Sequence, residues 1–160
     1  YKRQSLGRDD PEVHLLFIQF LRSKLREDEA LIRAQAAVQR FPLHPALNCE
    51  LGQLLLKRQR PQEAAPYFQK SLAGEPELAI ARAGLADSYA ALGETEKAIR
   101  EMKPALHADP DGSYHYRLGR WYQRIGRPQE ASKAFAASTT LKQERAKRDR
   151  ERFLKLRPEY

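Results

Sequence analysis

Apolar residues recur along this chain at three- and four-residue steps, in short runs separated by polar or proline-containing breaks. The period is that of amphipathic helices. It is clearest in the stretch 81–110, ARAGLADSYAALGETEKAIREMKPALHADP. This reads as two helices joined by a tight turn at Leu92-Gly93-Glu94, with the small residues Ala86 and Ala98 where the helices touch. Elsewhere the pattern predicts helices from Pro11 to about Lys24, from about Asp28 to just before Pro42, and near 46–58, 61–73, 78–92 and 95–107. A last helix begins near Pro128 and does not obviously stop. Asp10 before Pro11 is a start signal: a side chain that accepts backbone N–H groups, then proline at the first helical position. Thr95 is expected to cap the helix it precedes. Residues 1–10 carry no apolar period and read as a flexible lead-in, and Phe41 to Pro45 as a rigid connector. Pro66 and Pro104 fall inside helices, where each removes a ladder bond at a cost of about 3 kcal/mol, so a local bend is expected at both.

The runs repeat. Pro42, Pro76 and Pro110 lie 34 residues apart, as do Ala30, Ala64 and Ala98, with Ala131 following after 33. Leu51-Gly52, Leu85-Ala86 and Leu118-Gly119 recur in step, as do Leu55, Tyr89 and Tyr122. Phe68, Met102 and Phe135 each stand four residues after one of those alanines. The repeats fall at 11–44, 45–78, 79–111 and 112–145, with 146–160 a basic extension of the last helix. Helices that cross closely need small residues at the contact, which Gly52 with Ala64 and Gly119 with Ala131 are expected to supply. Leu51, Leu55, Phe68 and Leu72 then fill the space between units. Each unit leaves an apolar face that only stacking can bury.

This pattern resembles the tetratricopeptide repeat family. Repeat four carries the signature as His115, Leu118, Gly119, Tyr122, Ala131 and Phe135. Repeat one departs at Ile18, where a small residue is expected, and at Leu25, where the turn glycine falls; repeat four has Gln143 for the closing proline. The resemblance implies an all-α, right-handed helix-turn-helix solenoid of four repeats with a long C-terminal capping helix. It also implies a concave groove lined by the first helices, holding a protein or peptide ligand. Its positions would be Glu12, Leu15, Gln19, Arg22 and Ser23; Ala46, Cys49, Gln53, Leu56 and Lys57; Ile80, Ala83, Asp87, Ala90 and Ala91; and Ser113, Tyr116, Arg120, Gln123 and Arg124. Four cations (Arg22, Lys57, Arg120, Arg124) against Glu12 and Asp87 favour an acidic peptide, with cations toward both ends. Tyr116 beside Arg120 and Arg124 is the expected anchor. One subfamily grips the C-terminal carboxylate of heat-shock chaperones with a Lys/Asn/Asn/Lys/Arg clamp. Here Gln19 and Glu50 replace the asparagines, and Glu50 would repel a carboxylate even with Arg117 as the last basic residue.

Charge adds an alternative. The 160 residues carry a formal net charge of +8. Residues 141–157 hold eight Lys/Arg against three acids, +5 of that total. Glu144–Arg148 and Glu151–Lys155 would support this stretch as an exposed helix. Such a helix, with Tyr114, Tyr116, Trp121 and Tyr122 as stacking groups, could bind nucleic acid. The groove residues do not recur between units, however, as base-by-base RNA readers require. Phe153, Leu154 and Leu156 at the rim could support self-association. One cysteine, Cys49, allows no internal disulfide and no spacing gives it a base. The four histidines show no metal-ligand spacing, and His14 and His115 share a repeat position best explained by packing. We therefore expect no catalytic residues, no metal and no cofactor: a binding module, not an enzyme. No apolar run is long enough to span a bilayer and no signal peptide is visible, but the chain begins at Tyr1 rather than Met and reads as a fragment, so the compartment stays open, a soluble cytoplasmic chain being only favoured.

If Ala98 lies at a helix contact, Ala98→Leu should destabilise the fold by about 1–3 kcal/mol through overpacking. An unchanged melting temperature would contradict the repeat register.

Overall fold

The computed structural model describes residues 10–155. Most of the polar lead-in, and Leu156 of the C-terminal rim, lie outside the described residues. Eight α-helices follow in order: α1 Pro11–Ser23, α2 Glu27–Arg40, α3 Pro45–Lys57, α4 Pro61–Gly74, α5 Ala79–Ala91, α6 Thr95–Ala105, α7 Ser113–Arg124 and α8 Pro128–Lys155. A short 3-10 turn, Leu106–Ala108, extends α6. Consecutive helices pair as α1–α2, α3–α4, α5–α6 and α7–α8, and each pair packs on the next. The result is a right-handed helix-turn-helix solenoid of four units closed by a long last helix.

Local chemistry sets the helix ends. Asp10 accepts from the Glu12 N–H at 2.9 Å, and Pro11 is the first residue of α1. Every turn within a unit contains one left-handed residue, at Leu25, Gln59, Gly93 and Gly126. The turn geometry is thus common to all four units, and units one and two adopt it without glycine. Just beyond, Arg26, Arg60 and Arg127 each bridge a glutamate three residues on, Glu29, Glu63 and Glu130. Unit three inverts the pair as Glu94–Lys97. This explains the arginine before Pro61 and Pro128. Thr95 does not cap: it is the first helical residue of α6, its side chain is buried, and Glu94 occupies the cap position. Helix α4 runs unbroken through Pro66, which sits on its exposed side. At Pro104 the effect is visible, since α6 gives way to the 3-10 turn within two residues.

The core depends on a ring laid across small residues. A methyl added at Gly52 would sit 2.9 Å from Phe68 Cε1, and one at Gly119 2.7 Å from Phe135 Cε1. Ala64 and Ala131 are buried as expected, but the aromatic rings set the need for glycine. The ring of Phe68 also reaches the next unit, where a methyl at Gly84 would lie 2.3 Å from Cζ. Unit one keeps this register with the sizes exchanged. Ile18 stands where Gly52 and Gly119 stand, and Ala34 where Phe68 and Phe135 stand; both are fully buried. The Ile18 departure is therefore compensated on the facing helix.

Ala34→Phe alone should cost about 1–3 kcal/mol by overpacking, and Ile18→Gly alone several, about 2–5 kcal/mol, by leaving a cavity. Combined, they should cost clearly less than the sum in urea denaturation. Additive losses would show that the two positions do not share one space.

Candidate functional site

The first helices of the units, α1, α3, α5 and α7, line a trough of three connected hollows. The N-terminal hollow, about 290 Å³, is lined by Gln19, Arg22, Ser23, Glu27, Leu54 and Lys57. The central one, about 440 Å³, is lined by Arg22, Gln53, Leu56, Lys57, Ile80, Ala83, Gly84, Asp87, Tyr114 and Arg117. The third, about 310 Å³, is lined by Asp87, Ala90, Ala91, Arg117, Arg120, Trp121 and Arg124. Shared walls (Arg22 and Lys57, then Asp87 and Arg117) make the trough continuous. Of the candidate residues, Gln19, Arg22, Gln53, Leu56, Lys57, Ile80, Asp87, Arg120 and Arg124 line it.

Tyr116 and Gln123 line none of the three hollows. The Tyr116 ring instead lies 5.6 Å from that of Phe135, tilted by 56°, and Lys142 Nζ sits 5.1 Å from its centroid. The reason is positional: Ala83, at the same register in unit three, is followed by another unit, whereas Tyr116 meets only α8. Cys49 is buried rather than exposed to the trough. Burial pushes its thiol up to about 11, and Gln53 Nε2 lies 3.4 Å from its sulfur, so it stays a protonated packing residue.

The cations are not equally available. Arg22 is paired with Glu50, to which Gln19 also donates at 3.2 Å, and Lys57 is paired with Glu27. Glu12 bonds His44 at 3.2 Å instead of facing the trough. The N-terminal half is thus neutralised, which corrects the expectation of cations toward both ends. At the other end Arg117 pairs with Asp87, and its guanidinium stacks 4.8 Å from the Tyr114 ring centroid. Arg124 reaches only the Ala90 carbonyl, at 3.5 Å. Three arginines thus face one carboxylate there. Burial pushes the Asp87 carboxyl up to about 6, and the attraction of Arg117 offsets only part of that shift.

Sequence reasoning weighed Arg117 only as the last basic residue of the carboxylate clamp and did not place Tyr114 in the groove. The available signal was register, because Arg117 occupies the same repeat position as Gly84 and Glu50, at the seam between units. His115 also proves more than a packing group. Its Nδ1 lies 2.7 Å from Asp109 Oδ2, which also accepts the His115 backbone N–H at 2.9 Å. Asn48 and Arg82, at the same repeat position, donate to the Pro42 and Pro76 carbonyls, also six residues back, at 3.0 and 2.9 Å. This position ties each of the last three units to the loop before it.

The groups proposed for stacking on bases are dispersed. Tyr122 is buried beneath Arg127, Trp121 is half-buried in the core, and Tyr116, 45% exposed, packs against Phe135. On α8, Arg145 bridges Asp111 and Asp149, and Arg148 reaches the Pro110 carbonyl. The pairs Glu144–Arg148 and Glu151–Lys155 do not form among the described residues, because Arg148 turns back to the array. Among the described residues no three His, Cys, Asp or Glu side chains converge to hold a metal, and no helix is long and apolar enough to cross a membrane.

Two models of the tetratricopeptide repeat match the sequence, at residues 26–79 and 55–118. No curated protein sequence matches it significantly. Among solved structures, MamA from residue 41 to its end, from Desulfovibrio magneticus RS-1, superposes with TM-score 0.75 at 25% identity, covering 86% of this chain and 78% of that one. The MamA RS-1 ArsTM double mutant gives 0.76 at 24% identity over 86% and 78%. Another MamA crystal structure gives 0.76 at 20% over 88% and 83%. These likenesses bear on the fold.

A carboxyl titrating near 6 in the folded chain and near 3.8 when unfolded binds its proton more tightly when folded. Its contribution to stability is present below pH 4 and is lost as pH rises through 6. Carboxyl carbon shifts should place the Asp87 midpoint near 6 and move it higher in Arg117→Leu; a midpoint near 4 would contradict the burial argument.

Proposed function

Because the chain belongs to the tetratricopeptide repeat family and has its interaction-scaffold architecture, we propose that it holds an acidic peptide segment in the trough, without catalysing a reaction. The single observation that carries this reading is the excess of Arg117, Arg120 and Arg124 over Asp87 at one end of a trough whose other end is neutralised. The reading supplies an orientation. Carboxylates of the ligand sit over Arg120 and Arg124, whose planar forks match them with two parallel bonds. Apolar side chains then lie on Leu56, Ile80 and Ala83. Arg117 is held by Asp87 and the Tyr114 ring before any ligand arrives, so less side-chain freedom is lost on binding. Glu50, held by Arg22 and Gln19, supports a trough that does not grip a terminal carboxylate at its N-terminal half.

Fluorescence anisotropy with glutamate-rich and lysine-rich peptide pools tests this directly. Wild type should prefer the acidic pool, and Arg120→Glu/Arg124→Glu should weaken that binding at least about tenfold, since charge pairs at a binding site are worth 1.4 kcal/mol or more. Equal binding of both pools, or acidic binding that survives the double reversal, would remove the reading.

A further inference from the structure

The two ends of the array are finished differently. At the C-terminal end, Phe135 occupies the position from which Phe68 packs on the following unit, and Tyr116 folds over it, with Lys142 above. Beyond it α8 is largely charged, with Phe153 and Leu154 exposed near its end. At this end of the array a long helix lies beside the last position, with Tyr116 still 45% exposed. Among the described residues the N-terminal end has no such helix beside it. Leu16, Phe17 and Phe20 are 64%, 44% and 50% exposed. Leu16 and Phe17 each lie one helical turn from Phe20 on α1, and the rings of Phe17 and Phe20 stack 6.5 Å apart.

Register shows what this face is built for. The residues 34 positions on from Phe17 and Phe20 are Leu51 and Leu54, and 34 beyond those are Leu85 and Ser88; all four are buried. They are covered by the second helix of the preceding unit, α2 over α3 and α4 over α5. Among the described residues, the face of α1 is therefore the same seam without a second helix over it. Size sets the chemistry of the missing piece. Bulky Leu47, Leu51 and Leu54 of α3 meet a helix with buried Ala30, Ala34 and Ala37, whereas small Ala81, Gly84 and Ser88 of α5 meet Phe68. Leu16, Phe17 and Phe20 are bulky, so their complement is alanine-lined. Charge adds a second requirement. Lys24 Nζ lies 5.7 Å from the Phe20 ring centroid and the Arg33 guanidinium 5.5 Å from that of Phe17. Neither meets a carboxylate among the described residues.

We propose that this face takes an amphipathic helix from a protein partner, alanine-lined on its buried side and acidic on its flanks, which continues the array in trans. The site is separate from the trough, and the two readings stand or fall independently.

The probe is a blocked peptide with the sequence of α2, Glu27–Arg40, which carries three alanines at the required spacing and three acids in its first turn. Titrated into the isotopically labelled full chain, it should give saturable amide shifts along α1. Leu16→Glu/Phe20→Glu, both at exposed positions, should abolish the shifts while circular dichroism and melting temperature stay those of the wild type. Lys24→Glu/Arg33→Glu should weaken binding at least fivefold, and a peptide carrying Ala34→Phe should bind less well than the parent. Arg120→Glu/Arg124→Glu should leave the titration unchanged. The proposal is overturned by the absence of saturable shifts, by shifts confined to the trough, or by shifts that persist in Leu16→Glu/Phe20→Glu. It is equally overturned if the chain sediments as a dimer that this variant dissociates, because the occupant is then a second copy.

Discussion

One phenyl ring joins three helices of this array. Phe68 of α4 lies against Gly52 of its own unit and Gly84 of the next, so neither glycine can carry a side chain while the ring stays in place. The contact fixes the distance between helices within a unit and between units together. Interiors at crystal-like density leave no slack for one partner to change alone. The same volume rule explains unit one, where isoleucine and alanine replace glycine and a ring in opposite order. What the fold preserves is the filled space, not the residue at either position.

The arrangement of charge follows from that stacking. Because units succeed one another at about 34 residues, side chains on adjacent first helices meet at separations of about 30: Arg22 with Glu50, and Asp87 with Arg117. Each pair spans a seam of the solenoid. Pairing at the first seam consumes the positive charge there, while Arg120 and Arg124 lie one turn beyond the last seam and meet no acid among the described residues. Polarity along the trough thus comes from where acids fall relative to the seams, more than from the number of cations.

Much of the fold was legible in the sequence because its signals are covalent or steric. Pro11, Pro45, Pro61 and Pro128 are each the first residue of a helix, and a residue type that can stand there without losing a bond is easy to read. The 34-residue recurrence located the contacts between helices. Pairwise facts across the seam were not legible. Arg22 and Lys57 looked like free cations because Glu50 and Glu27 are distant in sequence and belong to neighbouring helices. Tyr116 looked like an anchor because the family position presumes a following unit. Thr95 looked like a cap because its type suits one, yet the packing of α6 buries it. Each error concerns which neighbour a side chain meets, and one-dimensional periodicity carries little of that.

The turns within the units divide the array in another way. Gly93 and Gly126 adopt their left-handed conformations freely, whereas Leu25 and Gln59 hold the same conformation against a steric cost of roughly 1–2 kcal/mol each. In a chain of units that contact only their neighbours, such a local cost is borne by the unit that carries it. The turns of units one and two therefore carry a local cost that those of units three and four do not. The strained turns thus fall in the neutral half of the trough and the relaxed ones beside its three arginines.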